Sequence, residues 1–141
     1  MDQHVAYNQC RVIMDQHRLM TWRFKFARGK SLLGNCNYGL KRITLSKYFV
    51  YLNEWNEVKD VILHEIAHAL VGPGHGHNHV WRNKCREIGA RPERINYRAN
   101  VPEGNVIAVC PVCGMTFRRY RMPHRDWYHT RCKALLTWQR T

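Results

Sequence analysis

His64-Glu65-Ile66-Ala67-His68 decides how the rest of this chain is read. On an α-helix, positions four apart lie about 40° around the axis and one turn along it, so His64 and His68 turn two imidazoles towards one point. That spacing suits a metal ion, and Glu65 is placed to work on a water held by the ion rather than to bind the ion itself. The flanking residues fit a helix. Val58, Val61, Ile62 and Ala69 recur with the two histidines at spacings of three and four, as a buried amphipathic helix requires. Asn53 or Asn56 is expected to cap its start, with Glu54, Glu57 and Asp60 near the positive end of the dipole. Gly72-Pro73-Gly74 should stop it. The plainer reading, a core helix with two hydrogen-bonded histidines, leaves Glu65 as a costly carboxylate on an apolar helix.

A catalytic ion of this kind needs a third protein ligand and one open position. His75, His77 and His79 follow the glycine turn, and spacing alone chooses none of them. Val80 to Ile88 reads as a second helix with Trp81, Cys85 and Ile88 on one face. A ligand near the start of that helix is held more firmly than one in a loop, which favours His77 or His79.

A second constellation lies near the end of the chain. Cys110-Pro111-Val112-Cys113-Gly114 is a knuckle whose turn aims two thiolates at one tetrahedral ion. His129-Thr130-Arg131-Cys132 repeats the spacing, so Cys110, Cys113, His129 and Cys132 are expected to hold a structural zinc; His124 competes, but its distance from Cys132 suits a knuckle poorly. Without metal this short segment lacks the core to fold alone. The remaining cysteines, Cys10, Cys36 and Cys85, have no partner pattern and are expected to be small buried apolar residues. Paired Cys-x-x-Cys spacing, and an N-terminus without the order of an export signal, favour metal over disulfides among the six Cys. No stretch of 18 apolar residues suggests a membrane span, and an intracellular place, cytoplasmic or nucleoid-associated, is expected.

The 141 residues allow one core of ordinary size and a small satellite. Residues 1–20 read as a helix with Ala6, Cys10, Ile13, Met14 and His17 on one stripe. Residues 21–52 alternate like strands, with Trp22, Phe24 and Phe26 opposite Arg23 and Lys25, a turn at Gly29-Lys30 and a further strand at Ile43 to Ser46. Periodicity fades from Glu93 to Gly104. The expected organisation is α+β: a core over 1–95 (N-terminal helix, short antiparallel sheet, metal-binding helix, following helix), a linker over 96–105 and a zinc ribbon over 106–141.

Gly74-His75-Gly76-His77-Asn78-His79-Val80-Trp81, close behind His64-Glu-Ile-Ala-His68, resembles the SprT-like metallopeptidases. Trp22 to Phe26, Leu33 to Tyr38 and Lys41 to Ser46 resemble that family's strand-turn-strand lead-in, and many members append a zinc ribbon. The resemblance covers about residues 18–138. It implies a zincin-like core, places the third zinc ligand four residues before an aromatic residue, and so selects His77 with Trp81 beneath. It implies a zinc metalloendopeptidase with Glu65 as catalytic base and His64, His68 and His77 on the catalytic zinc. It further implies peptide held by strand addition to the sheet edge. His129 departs from the usual four-cysteine ribbon.

Charge bears on partners. Residues 106–141 carry seven Lys and Arg against Asp126 alone, +6 of the formal +13. Arg118, Arg119 and Arg121 interleave with Tyr120, and Trp127 and Tyr128 follow Arg125; phosphates attract the cations and unpaired bases stack on the rings. With the SprT-like resemblance, whose members include proteases of DNA-attached proteins, the expected partners are a protein substrate and DNA, single-stranded or protein-bound. The competing reading is a nucleic-acid-binding zinc protein with a structural or regulatory core. Glu65 argues against it, because a structural metal site needs no such carboxylate.

Overall fold

The computed structural model describes residues 1–96 and 98–141. Tyr97, within the stretch read as aperiodic, lies outside the described residues. The chain divides into two compact units, Met1–Val101 and Pro102–Thr141. Among the described residues no helix is long and apolar enough to cross a membrane.

The first unit is built around a long helix. Helix α1 (Gln3–Gln16) is capped by the Asp2 carboxylate and buries Ala6, Cys10, Ile13 and Met14. Strands β1 (Arg23–Ala27), β2 (Gly34–Asn37) and β3 (Arg42–Ser46) form one sheet in the order β1-β3-β2. The sheet is mixed rather than antiparallel: β1 runs parallel to β3, and only β2 opposes it. Alternation marks strands but is silent on their pairing. Ile43 and Leu45 are fully buried and take the central strand, whereas Gly34-Asn-Cys-Asn37 suits an edge. Residues 47–52, read as a continuation of the strands, form a short helix α2 (Lys47–Leu52), because the Ser46 hydroxyl accepts from the Phe49 amide and starts a turn.

Helix α3 (Trp55–Val71) carries the His-Glu-x-x-His stretch and buries Val58, Val61, Ile62, Leu63, Ile66 and Ala67. Neither expected asparagine caps it. Glu54 occupies the cap position without a side-chain bond, and Asn53 points elsewhere, donating to the carbonyls of Phe49 and Asn100 and accepting from the Asn100 amide. Gly72, at φ 82°, ends the helix. Helix α4 (His79–Ile88) packs on α3 through fully buried Trp81 and Cys85.

The expected linker over 96–105 is divided, its described residues up to Val101 lying in the first unit and the rest in the second. Arg91 donates to both carboxylates Asp60 and Glu57 on α3, and Asn96 also donates to Glu57. Polar side chains therefore hold a strap that has no hydrophobic period, which is why the sequence pattern looked slack. Residues 102–105 are fixed within the second unit instead: the Tyr120 hydroxyl donates to Pro102, and a Cβ at Gly104 would meet the Arg119 carbonyl oxygen.

The second unit has a three-stranded antiparallel sheet, β4 (Val106–Val109), β5 (Thr116–Arg119) and β8 (Trp138–Arg140), in the order β5-β4-β8. A two-stranded pair, β6 (Trp127–Tyr128) and β7 (Leu135–Leu136), completes it. Its apolar centre is small: Ala108, Cys110 and Leu136, with Phe117, Cys132, Ala134 and Trp138 against them.

Candidate metal centre

His64 and His68 project from α3, and three glycines bring His77 to them. Gly72, Gly74 and Gly76 all have positive φ, a conformation that costs other residues free energy, and together they fold the chain back within a few residues. Asn78 then caps α4 by accepting from the amides of Val80 and Trp81, which fixes His77 just before the helix. The Nε2 atoms of His68 and His77 lie 3.2 Å apart, and those of His77 and His64 3.3 Å. Nitrogens bound tetrahedrally at about 2.0–2.1 Å from one ion are separated by about 3.3–3.4 Å. The spacing therefore fits a metal ion.

Trp81 is the floor of the site. Its indole is stacked on His68 with centroids 5.2 Å apart and stands edge-on to His64 and His77, each at 4.6 Å. Its N–H donates to the His64 carbonyl at 3.3 Å, locking the ring. Burial, together with mutual repulsion, lowers His64 to about 3 and His68 to about 4. His77 is lowered too, by burial and then by the charges of Arg94 and Arg82. The three rings are thus neutral at pH 7, the state that ligation requires. One shared proton could bridge only two of the nitrogens; a cation serves all three.

Glu65 is only 6% exposed, and its Oε1 lies 3.9 Å from His64 Nε2. Burial pushes its carboxyl up to about 8. Gly34 on β2 makes the room: a Cβ there would sit 3.1 Å from both Cγ and Oε1 of Glu65 and 3.0 Å from Leu45. The Tyr38 hydroxyl donates to the His68 carbonyl at 3.0 Å, alongside the Gly72 amide. Cys36 is half-buried, packed against the core and lining this wall, and burial raises its thiol to about 12.

A cavity of about 600 Å³ opens in front of these groups. The β2 edge (Leu33, Gly34, Asn35, Cys36) lines one side, and Arg94, Ile95, Asn96 and Val101 of the strap line another. His75 is half-exposed beside Asn78, and His79 is exposed on α4, so neither joins the cluster. Gly34, Tyr38 and Arg94 have no role predicted from sequence. The first two sit within the quoted lead-in, but nothing in their spacing points to α3, and Arg94 lies in the aperiodic stretch.

Cys110, Cys113, His129 and Cys132 form the second cluster, their ligand atoms all within 4.8 Å of one another. His129 Nδ1 lies 3.3 Å from Cys110 Sγ and 3.5 Å from Cys113 Sγ, distances that suit a shared ion. Two turns with the same hydrogen-bond circuit deliver the ligands. Cys110 donates to Met115 and accepts from Gly114; His129 donates to Ala134 and accepts from Lys133. The fifth residue of each turn has positive φ, Gly114 at 76° and Lys133 at 55°. Amides of Cys113 and Val112 hold the Cys110 thiol down to about 6, towards the thiolate that ligates metal. His124 is exposed and outside the cluster.

No curated protein and no solved structure matches the chain. The model of the SprT-like family matches residues 4–102, which span the sheet, α3 with its histidines, α4 and the strap. With that match over most of its length, the chain belongs to the SprT-like family.

Proposed function

We propose that this protein is a zinc-dependent metalloendopeptidase of the zincin type that acts on DNA-associated proteins, its second unit binding nucleic acid. One observation carries the reading. Three imidazole nitrogens converge within 4.8 Å of one another, two of their separations at the edge length of a tetrahedron, with a buried carboxylate 3.9 Å from one of them at the head of an open cavity. His64, His68 and His77 hold the catalytic ion, and Cys110, Cys113, His129 and Cys132 hold a structural one. A bound zinc supplies Lewis acidity, acidifying water and polarising a carbonyl. Glu65 accepts the proton of the attacking water and returns it to the leaving amine. Its apolar surroundings, which favour the protonated form, suit the second of these transfers. Trp81 and Gly34 keep the imidazoles and the carboxylate in register.

The nucleic-acid part of the reading is supported by charge and by one juxtaposition. The Arg119 guanidinium lies 4.3 Å from the ring centroid of exposed Trp127, so a phosphate contact and a stacking surface are side by side.

The test is incubation of the wild type and Glu65→Gln with a basic DNA-binding protein, with and without single-stranded DNA, alongside metal analysis. Wild type is expected to hold two zinc ions and to cleave more strongly with DNA. Glu65→Gln should keep both ions and its fold and lose cleavage. His77→Ala should lose one ion, while His75→Ala and His79→Ala retain both. Cleavage that persists in Glu65→Gln refutes the catalytic role, and DNA retention without any cleavage supports a binding protein instead.

A further inference from the structure

The cavity has a wall that the proposed chemistry does not use. Arg91 and Asn96 are tied to Glu57, and Arg91 also to Asp60, so the residues between them bridge two fixed points at the cavity rim. Arg94 and Ile95 lie on that bridge and line the cavity. Among the described residues, Arg94 has neither an ion-pair nor a hydrogen-bond partner, whereas its neighbour Arg91 has both. The cavity's carboxylates are otherwise engaged: Asp60 is bound by Arg91, and Glu65 is buried behind the imidazoles. Leu32, Ile95 and Val101 line the same cavity as Arg94 and are 62%, 48% and 45% exposed. A cavity that holds exposed apolar side chains and one uncompensated cation complements a ligand with apolar parts and an anionic end.

We infer that Arg94 is a specificity-determining residue, receiving a carboxylate of the substrate peptide in the cavity that Leu32, Ile95 and Val101 also line. The inference rests on the peptidase reading. The carboxylate comes from an acidic side chain near the scissile bond or from a peptide C-terminus; both offer two oxygens to the guanidinium fork. In a basic DNA-binding substrate acidic residues are scarce, so such a subsite confines cutting to few positions.

The experiment uses labelled peptides in matched pairs, Glu against Gln near the cut, each with a free or an amidated C-terminus. Affinity is read by anisotropy on zinc-loaded Glu65→Gln, which does not turn the peptide over, and kcat/KM is read on the wild type. Carboxylate peptides are expected to bind about fivefold more tightly, the size of a partly exposed charge pair. That advantage should vanish in Arg94→Gln, and Arg94→Glu should prefer Lys peptides; circular dichroism checks that both variants are folded. Loss of the advantage on amidation assigns it to the C-terminus, and persistence assigns it to the side chain. Equal affinity for all four peptides, Glu or Gln and free or amidated, or a carboxylate preference that survives Arg94→Glu, overturns the inference. So does a fall in single-stranded DNA affinity in Arg94→Gln with peptide preference unchanged, which gives Arg94 to nucleic acid. If the wild type cleaves no peptide, the peptidase reading fails, and the binding comparison still judges Arg94.

Discussion

Glu65 sits where a carboxylate would ordinarily not be buried, and the residue that admits it is Gly34. A Cβ there would lie 3.1 Å from the Glu65 carboxyl and 3.0 Å from Leu45, so adding one methyl forces one of them to give by a few tenths of an ångström. Small displacements of a reacting group lower turnover more than binding. Gly34→Ala is therefore expected to reduce kcat about three- to tenfold, with KM within about twofold and zinc content unchanged. Unaltered kcat would show that Glu65 has slack. At this scale the sequence was legible where chemistry has a spacing, as at His64, His68 and Cys110, Cys113. It was silent where chemistry depends on a missing atom, as at Gly34. For His77 the residues left alternatives open; the family resemblance, through the family's ligand-to-aromatic spacing, singled it out, and the structure brings it within 3.2–3.3 Å of its neighbours.

At the scale of elements, α3 was plain because its apolar period and its glycine stop both lie in the local sequence. The strap was opaque because Arg91, Asn96 and Asn53 hold it through partners 31 to 47 residues away. Such ties leave no period. The parallel pairing of β1 with β3 was hidden for a related reason, since alternation does not say which strands become neighbours, and here β3 lies between β1 and β2. The strap has a pH signature. The hydrogen bond from Arg91 holds the Glu57 carboxyl below its usual value. A carboxyl lowered on folding contributes stability that is complete above its unfolded value of about 4.3 and is lost as pH falls through the folded value. Arg91→Met is expected to lower stability by about 1 kcal/mol at pH 7, after solvent screening. In thermal melts the difference from wild type should shrink steadily below pH about 4. A difference of equal size at pH 7 and pH 3 would assign the loss to packing rather than charge.

At the scale of the whole chain, the two units differ in what holds them. The first has a continuous core from α1 through α4, whereas among the described residues the second buries only Val106, Ala108, Cys110 and Leu136 of its apolar side chains. So small a centre needs an ion. Cys132→Ser, or a strong chelator, should collapse the amide dispersion of residues 102–141 in a heteronuclear spectrum, while signals from residues 1–101 stay dispersed. Persistence of both sets would mean that the ribbon folds without metal. The paired turns also have an electrostatic corollary. A divalent ion with three thiolates and a neutral imidazole leaves one net negative charge, where four thiolates would leave two. With an ion bound, having His129 where many ribbons have a sulfur would halve the anionic charge at the heart of a strongly cationic unit, and less of that unit's positive field would be cancelled from within.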